Sequence, residues 1–285
     1  MHLGKTDYLE MNNIRSSISG QWYPHNPELL VQNVETYLLN AEVEKPDGKL
    51  YGIIVPHAGH MYSGQVAAHA FKCIVGMDFD TVIVVSPSHF LSEGNIITTS
   101  HDAYRTPLGK VEIDRATLNE IDNKLMEDFN EKIVCVSNDP EHAIEVELPF
   151  LQFILENFRL VPIMMFNQTS ETASALGHSL AQVIADRNAL LVASSDLSHF
   201  YPDRIARKFD EEMLRRIEAF DPEGVIQAEI LEIGFACGRG AIAAILYACR
   251  NLGANQVRVL NYDNSGQITG DYDSVVGYGA AVIYE

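Results

Sequence analysis

Short runs that are apolar at nearly every position constrain this chain more than any other feature. Tyr51 to Val55, Thr81 to Ser86, Leu160 to Met165, Ala189 to Ala193 and Gln256 to Asn261 are rich in aliphatic residues, and most lack the alternating polar positions of a strand with one wet face. Strands of that kind need cover on both sides. Helical spacing supplies the cover at Pro27 to Asn40, Gly64 to Ile74, Arg115 to Phe129, Ile144 to Asn157, Ser170 to Arg187, Asp203 to Phe220, Asp221 to Glu229 and Arg239 to Leu252. Asp114 and Ser170 stand at two of the starts, where a side-chain oxygen can accept from free backbone N–H groups. The alternation predicts an α/β fold, a three-layer αβα domain around a mainly parallel or mixed sheet, with further strands at Lys132 to Val136 and Tyr278 to Tyr284. Gly94 to Ile113 breaks this rhythm and reads as a β-hairpin excursion, with Ile96 to Ser100 and Lys110 to Ile113 flanking Arg105-Thr106-Pro107-Leu108-Gly109.

One domain accommodates the whole chain. Its 285 residues are 47% hydrophobic, enough for one large core, and no repeat or low-complexity linker divides them. Lys45-Pro46-Asp47-Gly48 is a local turn, and residues 1–18 read as a flexible N-terminal extension. Lys and Arg number 20 against 39 Asp and Glu, and the resulting net charge of -19 repels phosphate backbones and anionic lipid, which argues against nucleic-acid and membrane partners. No run approaches the ~20 apolar residues of a bilayer span, and Lys5, Asp7 and Glu10 occupy the place of a signal peptide's apolar stretch, so a cytoplasmic location is expected. The four cysteines form no CxxC pair, and most are expected to be reduced and buried.

Three of the apolar runs end alike. Ile53-Ile54-Val55 leads into Pro56-His57-Ala58-Gly59-His60, Val82 to Val85 into Ser86-Pro87-Ser88-His89, and Leu190 to Ala193 into Ser194-Ser195-Asp196-Leu197-Ser198-His199. Each delivers an imidazole to the carboxyl end of a buried strand, the edge at which open α/β sheets bind ligands. One such histidine is an ordinary loop residue, whereas three indicate a shared site. Cys237, in the glycine-flanked loop Gly234 to Gly240 before a small, apolar helix, adds a thiol; a helix start favours its thiolate, and the alternative is a small apolar residue packed there. Imidazole with thiolate suits zinc, iron or copper better than magnesium or calcium, and two histidines with one anion resemble the facial arrangement of non-haem Fe(II) sites.

The same segments, with Ser19-Gly20-Gln21-Trp22-Tyr23-Pro24, Tyr104-Arg105-Thr106-Pro107-Leu108 and Glu141-His142-Ala143-Ile144-Glu145, resemble the Memo family in order from about Ser19 to the C-terminus. Memo proteins are similar in fold to class III extradiol dioxygenases, which hold Fe(II) on two histidines and a glutamate and use a further histidine as acid and base. The resemblance implies an extradiol dioxygenase-like fold, His57 and His89 as metal ligands, Cys237 in place of the glutamate, and His199 as the catalytic acid and base. It implies Fe(II) as cofactor, with copper or zinc as alternatives, and a link to radical-SAM and AMMECR-type proteins. Cysteine for glutamate puts ring cleavage in question.

Neighbouring residues have two readings each. Asp196 either orients an imidazole or caps the turn after its strand. His142 and Glu145, at i,i+3 spacing, face the pocket if their helix is turned that way. Arg239 binds an anionic substrate group or pairs with a structural carboxylate. Trp22 and Tyr23 pack over the sheet edge or line the pocket. His60 sits on the His57 loop, while His2, His25, His69, His101 and His178 read as solvated or structural. Three functions fit: a metal-dependent oxidoreductase for a small substrate, a non-catalytic module that binds a peptide or small molecule, and metal-free catalysis by Cys237.

Overall fold

Every residue of the apolar runs 50–55 and 81–87 is buried in the computed structural model, which describes residues 14, 15, 17–137 and 139–285. The described strands are β1 (Leu50–Val55), β2 (Thr81–Pro87), β3 (Ile96–Thr99), β4 (Ala103–Thr106), β5 (Gly109–Glu112), β6 (Ile133–Val136), β7 (Arg159–Met165), β8 (Ala189–Ser194), β9 (His199–Tyr201), β10 (Gln256–Asn264) and β11 (Val275–Tyr284). The helices are α1 (Pro27–Asn40), α2 (His60–Ile74), α3 (Arg115–Phe129), α4 (Ala143–Ile154), α5 (Ser170–Ile184), α6 (Asp203–Glu218), α7 (Pro222–Ile230), α8 (Arg239–Asn251) and the short α9 (Gly266–Thr269).

One mixed sheet runs β10-β11-β1-β8-β2-β7-β3-β6, with β9 beside β11. Its centre, β1-β8-β2-β7, is parallel. Register brings Val55 beside Ser194 and sets Val85 beside both Ala193 and Ile163, so the carboxyl ends emerge level with one another. Alternate residues serve opposite cores. Ile53, Val55, Val82 and Val84 pack with α1, α2 and α4, whereas Ile54, Ile83, Val85 and Leu191 pack with α3, α5, α6, α7 and α8. The result is the expected three-layer αβα arrangement.

The predicted hairpin is corrected. Ile96–Thr99 is buried at all four positions and joins the main sheet, antiparallel to β7 and parallel to β6; four buried residues have no place on an exposed ribbon. The hairpin is β4 paired with β5, turning at Pro107-Leu108 into Gly109, whose φ of 131° suits glycine. Asp114 caps α3 as expected, accepting from Thr117 N at 3.0 Å, but Thr169 rather than Ser170 caps α5. Residues 1–13 and 16 of the expected N-terminal extension, His2 included, lie outside the described residues. Its remainder is tied down: Ile14 bridges to Ala103, and Arg15 is buried between Asp139 and Glu145 at 3.2 and 2.5 Å. Cys73 and Cys249 are buried, Cys237 is half-buried and Cys135 is exposed at the edge strand β6, so two of the four are buried where most were expected to be, and all four are free. No described helix is long and apolar enough to cross a membrane.

Candidate metal centre

His57 leaves the end of β1 into a pocket where only 1% of its surface is exposed. Its Nδ1 lies 2.8 Å from Ser194 Oγ at the end of β8, and its Nε2 lies 3.3 Å from Cys237 Sγ. The Asp196 carboxylate accepts from the backbone N–H groups of His57 and Ala58 at 2.8 and 3.2 Å. Asp196 therefore anchors the His57 loop through its backbone and leaves the imidazole to Ser194. His89, two residues beyond β2, is held by Glu141, which accepts from its backbone N–H at 2.7 Å and from Nδ1 at 3.0 Å. Both rings are thus fixed through Nδ1.

Cys237 arrives from the other side of the sheet edge. Its carbonyl accepts from Gln168 Nε2 at 2.8 Å, and Asp196 N–H points at its sulfur from 3.3 Å. One ligand atom from each of His57, His89 and Cys237 lies within 4.8 Å of the other two. The 3.3 Å between Cys237 Sγ and His57 Nε2 is what two ligands with bonds of about 2.3 and 2.1 Å have when they meet an ion near a right angle. Two nitrogen donors with their far nitrogens secured, plus a sulfur, fit a first-row transition ion. A second group, His89, Glu141 and His142, is equally tight, but the hydrogen bonds that Glu141 accepts account for it.

The remaining expected residues divide between this cluster and the core behind it. His142 stacks between Trp22 and His89, with ring centroids 3.8 and 5.0 Å away, and meets His57 edge-on at 5.5 Å. Trp22 thereby lines the site, whereas Tyr23 is buried and donates to Glu145 at 2.5 Å. Glu145 turns away from the pocket: it also accepts from Ile18 N and pairs with Arg15, which overturns the reading that it faces the site. His199 Nδ1 lies 2.8 Å from Leu197 O, and the ring borders a crevice of about 260 Å³ shared with Tyr201, Phe235, Cys237 and Arg239. Arg239 pairs with Glu229 at 2.9 Å on that wall. His60 is buried, with Nε2 2.8 Å from Val146 O, and belongs to the core rather than to the cluster.

Burial dominates the electrostatics. It holds His57 well below the usual imidazole range, with His142 and His89 adding to the effect, and brings His142 down to about 4. His199 is lowered by burial as well. Burial works the same way on His89, but the hydrogen bond and charge of Glu141 overcome it and raise that histidine. For Glu141 burial works upward; the hydrogen bond and charge of His89, with the backbone N–H groups, prevail and bring it to about 2. Asp196 is pushed up to about 7 by burial. Cys237 is pushed up by burial and by the Asp196 charge, against the expectation that a helix start favours its thiolate. Gly238, rather than Cys237, occupies the cap position of α8, so the sulfur sits beside the strand-end loop.

Three contributors escaped the sequence reading. Glu141 was visible only as part of a motif, and Ser194 and Glu147 were not singled out. Glu147 carried a signal nonetheless, as an acid within the otherwise apolar run Val146 to Leu151 of a buried helix.

Comparison with known proteins gives the relatives of the chain. A sequence profile described as Memo-like protein matches residues 15–282. A MEMO1 family protein of Nitrosopumilus maritimus is 34% identical, covering 92% of this chain and 96% of the relative. Another, of Methanopyrus kandleri, is 36% identical and covers 93% and 97%. Among solved structures, an uncharacterized protein of Escherichia coli K12 superposes with a TM-score of 0.50 at 12% identity, over 82% of this chain and all of that one, a likeness of fold alone.

Proposed function

Because this chain belongs to the Memo family, we propose that His57, His89 and Cys237 bind one first-row transition ion and that the adjoining crevice serves redox chemistry on a small substrate. The observation that carries this reading is the convergence of the three donors, within 4.8 Å, from three separate segments of the sheet edge. Iron(II) is the first choice, with copper or zinc also suited to nitrogen and sulfur donors. When bound, the ion supplies Lewis acidity and, for iron or copper, one-electron chemistry.

The chain's own residues supply the rest. His199 carries its Nδ1 proton toward Leu197 O, which leaves Nε2 to take up or return a proton, and burial favours the neutral ring in which Nε2 is free to accept. Asp196 acts as a positioning group by holding the His57 loop. Trp22 and His142, stacked on one another, offer aromatic edges to an apolar part of the substrate, and Arg239 with Glu229 forms a polar wall.

The test is metal content, measured by mass spectrometry on protein purified anaerobically without an affinity tag, beside His57→Ala and Cys237→Ser. Near-stoichiometric iron or copper that falls at least about tenfold in both variants supports the proposal. Equal metal in all three proteins refutes the ligand set, and zinc alone removes the redox part. Absence of metal even after anaerobic reconstitution leaves a crevice that only binds.

A further inference from the structure

Glu147 is an acid in apolar company. It lies on α4 at 1% exposure, and no basic side chain among the described residues pairs with it. Burying a carboxyl group without a partner is costly, so its few polar contacts carry weight. Its Oε1 lies 2.7 Å from Ser194 Oγ, and Ser194 in turn contacts His57 Nδ1 at 2.8 Å and the Ala143 carbonyl at 3.3 Å.

We propose that Ser194 and Glu147 form a positioning relay that fixes His57 as the tautomer protonated on Nδ1, with Nε2 bare and turned toward Cys237. A serine hydroxyl has one hydrogen and two lone pairs. The Ala143 carbonyl can only accept, and Glu147 accepts whenever it is ionised, so the hydrogen of Ser194 is drawn to that side. A lone pair is left for His57, and Nδ1 must carry the proton. A protonated Glu147 whose Oε1 is the carbonyl oxygen still accepts from Ser194 and leaves the tautomer unchanged. Only donation through Oε1 would free the Ser194 hydrogen, to Ala143 O at 3.3 Å or to a bare His57 Nδ1 at 2.8 Å, so the relay requires Glu147 Oε1 to accept.

The arrangement lengthens by one hydroxyl the carboxylate–imidazole contact that commonly orients a metal-bound histidine. Its purpose rests on the proposed metal reading, but its existence does not. Three elements have to meet for it to form: β1 brings His57, β8 brings Ser194 in parallel register, and α4 crosses above with Glu147.

Long-range 1H–15N correlation spectra of histidine-labelled, chelator-treated protein at pH 7.5 read the tautomer directly. His57 is neutral there because burial lowers its pKa, and its signals are those missing from His57→Ala. The wild type is expected to show Nδ1–H and a bare Nε2. Ser194→Ala shifts His57 toward Nε2–H and weakens zinc(II) binding, measured by chelator competition, by about 10- to 100-fold. Glu147→Gln keeps an acceptor oxygen for Ser194 and retains the wild-type tautomer. Should the orphaned acid destabilise Ser194→Ala, the double variant Ser194→Ala/Glu147→Leu removes both groups and gives the same readout. A wild type carrying Nε2–H, or Nδ1–H persisting without Ser194, overturns the relay. The expected tautomers with no zinc binding by the wild type support the relay and sink the metal reading instead.

Discussion

Glu141→Gln removes one charge and should cost this protein ~2–3 kcal/mol, a large part of the roughly 5–15 kcal/mol that holds a typical domain folded. The carboxylate is 2% exposed and accepts from the backbone N–H groups of His89, His142 and Ala143 at 2.7, 2.9 and 3.0 Å, as well as from His89 Nδ1. Its displacement from 4.5 to about 2 corresponds to ~3 kcal/mol at neutral pH. Glutamine retains one acceptor oxygen but turns an NH2 group toward N–H donors, so ~2–3 kcal/mol of that is lost. The sign with pH follows from both partners. Glu141, depressed in the fold, stabilises above its unfolded value of 4.5 and loses the contribution as pH falls toward about 2. His89, raised in the fold, contributes fully below its unfolded value of 6.5 and loses it as pH rises through the folded one. Urea denaturation of metal-free wild type and variant should therefore show the widest gap between about pH 4.5 and 6.5, narrowing on either side. A gap under about 0.5 kcal/mol at pH 6, or one that widens as pH falls from 4.5 to 3, would refute the assignment of Glu141 as the charged anchor.

Two further outcomes follow from burial. Limited iodoacetamide treatment of the native protein, read by peptide mass spectrometry, should alkylate Cys135 first, because Cys73 and Cys249 are buried and burial raises the Cys237 thiol; prior labelling of Cys237 would contradict the described packing. Asp210, fully buried between Ser198 N–H and the Tyr262 hydroxyl, is raised from 3.8 to about 6. Its contribution is present below 3.8 and lost as pH rises through about 6, so Asp210→Asn should gain up to ~3 kcal/mol on wild type between pH 4 and pH 7 in urea denaturation. An unchanged difference across that range would mean that Asp210 stays ionised throughout.

The parts of the site that the sequence displayed are those that belong to one strand each. A strand covered on both faces is apolar throughout, so the polar residues just after β1, β2 and β8 stand out, and His57, His89, Asp196 and His199 could be read as a group. What holds those residues was less legible, because it arrives from elsewhere in the chain. Ser194 looks like the last residue of a strand until Glu147 is seen above it. Glu145 and Glu147 are two residues apart and hence about 200° apart around α4. Every residue from Ala143 to Leu151 is buried, so no apolar stripe reveals which acid turns toward the site; the sequence reading named Glu145 conditionally and did not single out Glu147. Ile96–Thr99 was misplaced for a related reason: its partners, β6 and β7, are far away along the chain, while the hairpin that was expected nearby forms from the next residues.

The distance between the two imidazoles is likewise set from outside their own strands. β1 and β2 are not neighbours, since β8 lies between them, and no ladder of backbone hydrogen bonds ties His57 to His89. Both are instead secured by one short stretch: Glu141, just before α4, holds His89, and Glu147, within α4, holds His57 through Ser194. His142 lies between these two points and stacks on His89 while meeting the edge of His57. A shift of α4 along its axis would move both anchors together and a rotation would separate them, so the packing of Ile144, Leu148 and Leu151 into the sheet bears on the donor spacing as directly as the loops that carry the histidines.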